Sequence, residues 1–450
     1  MQVLEFDFDW QAGESIQASE LASTCASLRI RINNSILTRV VDHSDKRVRE
    51  FIHVPLYPLA EWLATNWWTL IHESEYRTGL DNPSFLERHA IAPSREGYRY
   101  PNMQVVSFDT KIRVTWKHES LQWTDLEFLE REGCEWIDKE RFIETCASLV
   151  DDVVARLMAC DITNTLLQEE WEAIRRADPE EQSFCKTAAA LGLDPYSIDG
   201  VRQSEVILLE ETLSGAVLEE ALPVISAERL ETELVAIQRV LRVGKANTIP
   251  LNRFTALRSE IDLTANDEAH DPPWMLGYNL ARNVRTQLDL DGMPLASWPA
   301  LSQALGESRI EDGRLSRSKA FSQSKLLNGV VTSNDKGLPA FAFRPGGTSQ
   351  TCRFLFCRGL TELLLAPGSD ALLTSARSNR QQRGRAFAAE FLAPSNGLRE
   401  HLHQSVLDED DIEDLALRFG VSQWVIEHQV KNHGIARIKH ANLRDESWMP

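Results

Sequence analysis

Apolar and charged residues alternate over Leu4-Glu5-Phe6-Asp7-Phe8-Asp9-Trp10 and again over Leu28-Arg29-Ile30-Arg31-Ile32. Successive side chains of a strand point to opposite faces, so each run predicts a strand with one buried face. Asn33-Asn34-Ser35 is a turn signal and predicts a hairpin over residues 27–41. Residues 103–108 and 111–116 predict a second hairpin around Asp109-Thr110. The pattern then changes period. Pro58 suits a helix start, and the aromatic-rich residues after it, Trp62, Trp67 and Trp68 among them, recur at helical spacing as a core helix does. Over 138–176 the residues Phe142, Cys146, Leu149, Val153 and Leu157 form one helical stripe. Asp178-Pro179-Glu180-Glu181 opens a further helix, which Leu191-Gly192 closes.

This order of elements predicts an α+β, multi-domain chain. Residues 1–200 read as an acidic α+β domain, 201–270 as a helical acidic connector, and 271–450 as a separate, mostly helical domain. The polar stretch 266–273, ending in Asp271-Pro272-Pro273, is the clearest linker. A length of 450 residues agrees with about three domains.

Charge changes the picture of partners. The net charge is −19, yet residues 341–450 carry 13 basic and 13 acidic side chains, so the whole deficit lies in 1–340. An acidic body repels nucleic acid at long range, which leaves only a local basic surface for such binding. No apolar run is long enough to span a bilayer, so no membrane partner is expected. The first residues lack the basic and apolar regions of a secretory signal, and the expected location is the cytoplasm. Seven cysteines without a CxxC pair read as reduced, mostly buried thiols.

Candidate chemistry is sparse. His72-Glu73 begins like a zinc-helix motif, but Tyr76 stands where the second histidine belongs, and no HExxH occurs in the chain. Phosphate-loop, dinucleotide and nucleophile-elbow glycine motifs are absent as well.

Residues 353–435 carry the most information. Arg353-Phe354-Leu355-Phe356-Cys357-Arg358-Gly359-Leu360-Thr361-Glu362-Leu363-Leu364-Leu365 has the shape of a metallopeptidase active-site helix. Arg385-Ala386-Phe387-Ala388-Ala389-Glu390-Phe391-Leu392-Ala393-Pro394 places a phenylalanine and small residues before an apolar pair and a proline. Ile412-Glu413-Asp414-Leu415-Ala416-Leu417-Arg418-Phe419-Gly420-Val421-Ser422 resembles a helix-turn-helix segment. Together these pieces resemble the ImmA/IrrE family of zinc metallopeptidases, over about 275–450, roughly two fifths of the chain. The resemblance implies a zincin-like C-terminal domain that ends in a helix-turn-helix-like segment. It also implies a context of stress response, mobile elements, toxin–antitoxin pairs or phage defence.

The family's HExxH places two zinc-binding histidines on one helical face, with a glutamate as general base. Here the corresponding slots hold Arg358, Gly359 and Glu362, and the third-ligand slot falls near Arg383. An arginine cannot coordinate, so zinc is not expected and the site reads as vestigial, with no catalytic residue and no cofactor. Arg358 and Glu362 stand four apart on one helix and are expected to pair, with Arg383 approaching the same carboxylate. Arg377, Arg380, Arg383, Arg385 and Arg399 against Glu390 read as a solvated basic face. A recognition helix would begin at Ser422 and expose Gln423, Trp424, Glu427, His428 and Lys431. Ser422, Gln423, Trp424, His428 and Lys431 are therefore the candidate contacts to a partner or nucleic acid.

The expected function is that of a non-catalytic, pseudo-metallopeptidase regulatory protein with a protein partner. A DNA-binding regulator using residues 412–434 is the alternative. A metallopeptidase with substituted ligands would draw on Glu362, His401 and His403.

Overall fold

The computed structural model describes residues 4–13, 16–75, 83–118, 126–261, 272–307, 310, 316–317, 321, 327–402 and 405–439. The chain is mixed α and β and divides into two compact units, Met1–Thr212 and Leu213–Pro450. No helix among the described residues is long and apolar enough to cross a membrane.

In the first unit, strand β1 (Leu4–Trp10) pairs antiparallel with β2 (Cys25–Ile32), Phe6 opposite Ile30 and Asp7 opposite Arg29. The charged partners meet across the pair: Arg29 reaches Asp7 at 2.6 Å and Arg31 reaches Glu5 at 2.6 Å. The hairpin expected over 27–41 is shorter than the sequence suggests. Only Ser35–Ile36 returns along β2, and Val40–Asp42 joins a different sheet with Arg47–Arg49 and Leu126–Phe128. Thr38 marks the departure: its hydroxyl accepts from Ile30 N and donates to Glu50 O. The hairpin Met103–Phe108/Lys111–Lys117 forms around Asp109, at φ 38°.

The helical stretch 138–176 is two helices. The first, α1 (Lys139–Ala159), buries Phe142, Cys146, Leu149, Val153 and Leu157. Asp161 and Asn164 then adopt positive φ, and Thr165 forms a capping box with Gln168 that starts Leu166–Arg176 afresh. Tyr57–Thr65 puts Leu59, Trp62 and Leu63 into the same apolar core.

The stretch read as a connector divides between the units. Gly200–Thr212 packs on Pro179–Ala190 in the first unit. The helices α2 (Gly215–Ala221) and α3 (Leu230–Gly244) belong to the second. Residues 262–271, which include most of the expected linker, lie outside the described residues.

The second unit holds α4 (Pro273–Gln287), β3 (Leu327–Ser333), β4 (Pro339–Phe343), α5 (Ser349–Leu365), β5 (Ala371–Thr374) and α6 (Asn379–Leu392). The sheet runs Ser316–Arg317, β4, β3, β5, and β3 is antiparallel to both β4 and β5. Every residue of β4 and β5 is buried, as expected of strands covered on both faces. Helix α5 lies on this sheet, α6 packs against α5, and α4 packs against α6. Two further helices of the unit are α7 (Glu409–Phe419) and α8 (Gln423–Asn432). Gly420 ends α7 at φ 64°, where a side chain would also meet Ala296 O, and Ser422 caps α8.

Candidate functional site

Helix α5 is nearly all buried, so its polar residues must find partners inside the protein. Thr348 caps its start by accepting from Thr351 N. Gly359 faces the sheet: a Cβ there would lie 2.8 Å from both Phe341 Cε1 and Val331 Cγ2. The slot that the resemblance assigns to a general base thus points into packed core, where a glutamate has no room. On the side toward α6, Gly384 faces Arg358, and a Cβ there would sit 3.7 Å from Arg358 O, an ordinary contact distance. Gly277 of α4 is what lets the third layer come close to α6, since a Cβ there would sit 2.3 Å from Arg383 O.

Glu362 is 4% exposed and its ion partner is Arg380, whose Nε donates to Oε2 at 2.6 Å. Among the described contacts Arg358 turns elsewhere. It donates to Thr374 O at 2.7 Å and to the Gln381 side-chain oxygen. The expected Arg358–Glu362 pair is therefore replaced by a pair between helices. A residue four positions away on one helix competes with any residue a neighbouring helix brings in. The half-buried Arg383 follows α6, with its carbonyl against α4.

Gln381 ties this region together, and the sequence reading overlooked it. Its Oε1 accepts from Arg358 and from Thr374 N, while its Nε2 donates to Leu372 O and to Glu220, each at 2.7 Å. Glu220 of α2 also accepts from Ser378 Oγ, the residue that caps α6. One amide thus links α2, α5, α6 and β5. The signal in the sequence is its place three before Gly384 and four before Arg385, on the buried stripe of α6.

The arginines of α6 do not form the solvated face expected of them. Arg385 is buried and donates to Ala376 O, and Arg380 is committed to Glu362. The helix is enclosed by α4 and α5, so its guanidiniums are drawn inward to carbonyls and carboxylates.

A second buried carboxylate organises the other end of α6. Glu390 is 1% exposed and accepts from Arg282 Nε at 2.9 Å, Gln429 Nε2 at 2.7 Å and Ser395 Oγ at 2.8 Å, with His433 Nε2 at 3.2 Å. Burial disfavours its charge, but the hydrogen bond and charge of His433, together with Arg282, outweigh that and hold the carboxyl at about 2. This network fastens α8 to α6. A lone glutamate inside the apolar Phe387–Leu392 run was the available clue.

No protein-family model, no curated protein and no solved structure matches this chain.

The donor set can still be tested against a zinc ion on chemical grounds. Of the four positions that the resemblance assigns, two hold guanidiniums and one holds glycine, and none of these has a lone pair to give. The fourth, Glu362, is already neutralised by Arg380. These residues do not fit the ion. His401 sits elsewhere in its own contacts, Nδ1 2.8 Å from Gly397 O and the ring edge-on to Phe419. His403 lies outside the described residues.

On α8, Ser422 acts as N-cap, and Gln423, Trp424 and Lys431 are exposed. The His428 ring lies tilted by 37° against that of Trp424, with ring centroids 4.0 Å apart, and burial holds its pKa below the ordinary value. Val425, Ile426, Gln429 and Val430 point inward. Trp424, His428 and Lys431 thereby border one groove together with α4 and α6.

Proposed function

We propose that this protein acts without catalysis, as a regulatory, partner-binding protein on a degenerate metallopeptidase-like scaffold. The observation that carries the reading is the Arg380–Glu362 ion pair, which takes up the single carboxylate left among the four positions in question. Arg358 and Gly359 add to it: one is engaged by Gln381 and Thr374 O, and the other lies against Phe341 and Val331. A hydrolytic zinc site needs neutral or anionic donors and an open coordination position, and this arrangement supplies neither.

A protein is the preferred partner over DNA. Glu409, Asp410, Glu413 and Asp414 of α7 are exposed directly before α8, whose outer face offers one lysine. Duplex binding draws most of its strength from cations on phosphates, and this charge pattern opposes it. The stress, mobile-element, toxin–antitoxin or phage-defence setting that the resemblance implies suits such a regulator.

Elemental analysis of the full chain purified without chelator tests the reading. The expected result is zinc far below one ion per chain, unchanged in Glu362→Ala. Stoichiometric zinc that is lost in Glu362→Ala would overturn it.

A further inference from the structure

A groove of about 440 Å³ runs between α4, α6 and α8. Trp274, Met275, Tyr278, Phe354 and Trp424 give it an apolar, largely aromatic body. Its charged groups all have one sign. Arg385 and Lys431 line it, and among the described residues no aspartate or glutamate does, in a chain whose net charge is −19. Gln429 adds a polar demand within the lining. It is fully buried, its Nε2 is used on Glu390 and on Ala393 O, and its Oε1 has no partner. A buried acceptor left open costs about 1–3 kcal/mol, which an incoming N–H donor recovers.

We propose that this groove receives a peptide of a partner protein, one with an aromatic or long aliphatic anchor flanked by acidic residues. The proposal rests on the partner-binding reading above and names the partner's chemistry. The anchor fills the aromatic body, the flanking carboxylates meet the exposed Lys431, and a peptide N–H answers Gln429. Aromatic side chains with few rotatable bonds make strong anchors for such contacts. Met275, 36% exposed, gives the wall an adaptable thioether. A nucleotide would also match the aromatic body and the sign of the charge. Its phosphates call for several convergent donors, whereas one guanidinium nitrogen of Arg385 is already given to Ala376 O.

The test begins with a displayed library of random dodecapeptides selected on the immobilised full chain. The most enriched peptide is then synthesised with a fluorescein label and titrated against the protein, Trp424→Ala and Lys431→Glu. Both residues are exposed, and unchanged unfolding midpoints would show that the variants fold. The expected outcome is an acidic motif with a Trp, Phe or Leu anchor, bound about tenfold or more weakly by each variant. Lack of enrichment above bare support overturns the proposal. So does displacement of the peptide by millimolar ATP, which makes the groove a nucleotide site. A peptide that both variants bind with unchanged affinity sits elsewhere, which sinks the groove while the partner-binding reading stands. Failure of that reading shows separately, as stoichiometric zinc.

Discussion

Arg380 Nε lies 2.6 Å from Glu362 Oε2, joining α6 to α5 where both side chains are largely withdrawn from water. A buried pair gains little over apolar residues of the same size, but breaking it leaves one charge without compensation. Arg380→Met and Glu362→Leu should each destabilise the second unit by about 3 kcal/mol, and the double replacement by clearly less than the sum. Denaturant unfolding of the two single variants and the double variant measures the difference. Additive losses would mean that the pair is not coupled.

This pair also shows where the sequence stops being legible. The i, i+4 spacing of Arg358 and Glu362 is a local signal, and it names a pairing that the helix alone permits. The pairing formed depends on which helix lies alongside, and nothing near residue 362 says that Arg380 will be there. Local signals fared well where both partners are local or covalently constrained. The alternation in β1 and β2 reads directly because Asp7 and Arg29, or Glu5 and Arg31, face each other across one strand pair. Thr165 and Gln168 announce the break after α1 as an N-cap and its partner three residues on, a signal that the apolar stripe masked. Gln381 was invisible for the opposite reason: its four partners come from three separate stretches of chain, α2, α5 and β5.

Gly359 yields a second prediction. A methyl group at this position would lie 2.8 Å from Phe341 and Val331, both fully packed. Alanine ordinarily stabilises a helix interior over glycine by about 1 kcal/mol. Here overpacking of the sheet interface, typically about 1–3 kcal/mol, should reverse the sign. Gly359→Ala is expected to lower the unfolding midpoint. A rise would show that α5 has space above the sheet, and that a glutamate could once have been accommodated there.

The last prediction concerns acid, and the two units respond in different windows. In the first unit burial, with Lys139 and Lys186 nearby, drives the His72 pKa down to about 3. The unfolded chain takes up a proton near the ordinary value of 6.5 while the folded chain does not, so stability falls as pH drops below 6.5. The loss approaches about 1.4 kcal/mol per pH unit, or about 2 kcal/mol by pH 5. In the second unit the Glu390 carboxyl is held at about 2 in the folded state, below the ordinary 4.5. Its contribution, on the order of 3 kcal/mol, is present above 4.5 and is lost as pH falls toward 2. Unfolding followed by denaturant between pH 7 and 3 should therefore show His72→Gln flattening the decline below 6.5, and Glu390→Gln flattening only the decline below 4.5. His433→Ala, by removing the neighbour that most favours the ionised carboxylate, should lift the lower edge of the Glu390 window toward 4.5 and shrink its contribution. If Glu390→Gln leaves the acid limb unchanged, the network around α6 and α8 does not hold that carboxylate ionised.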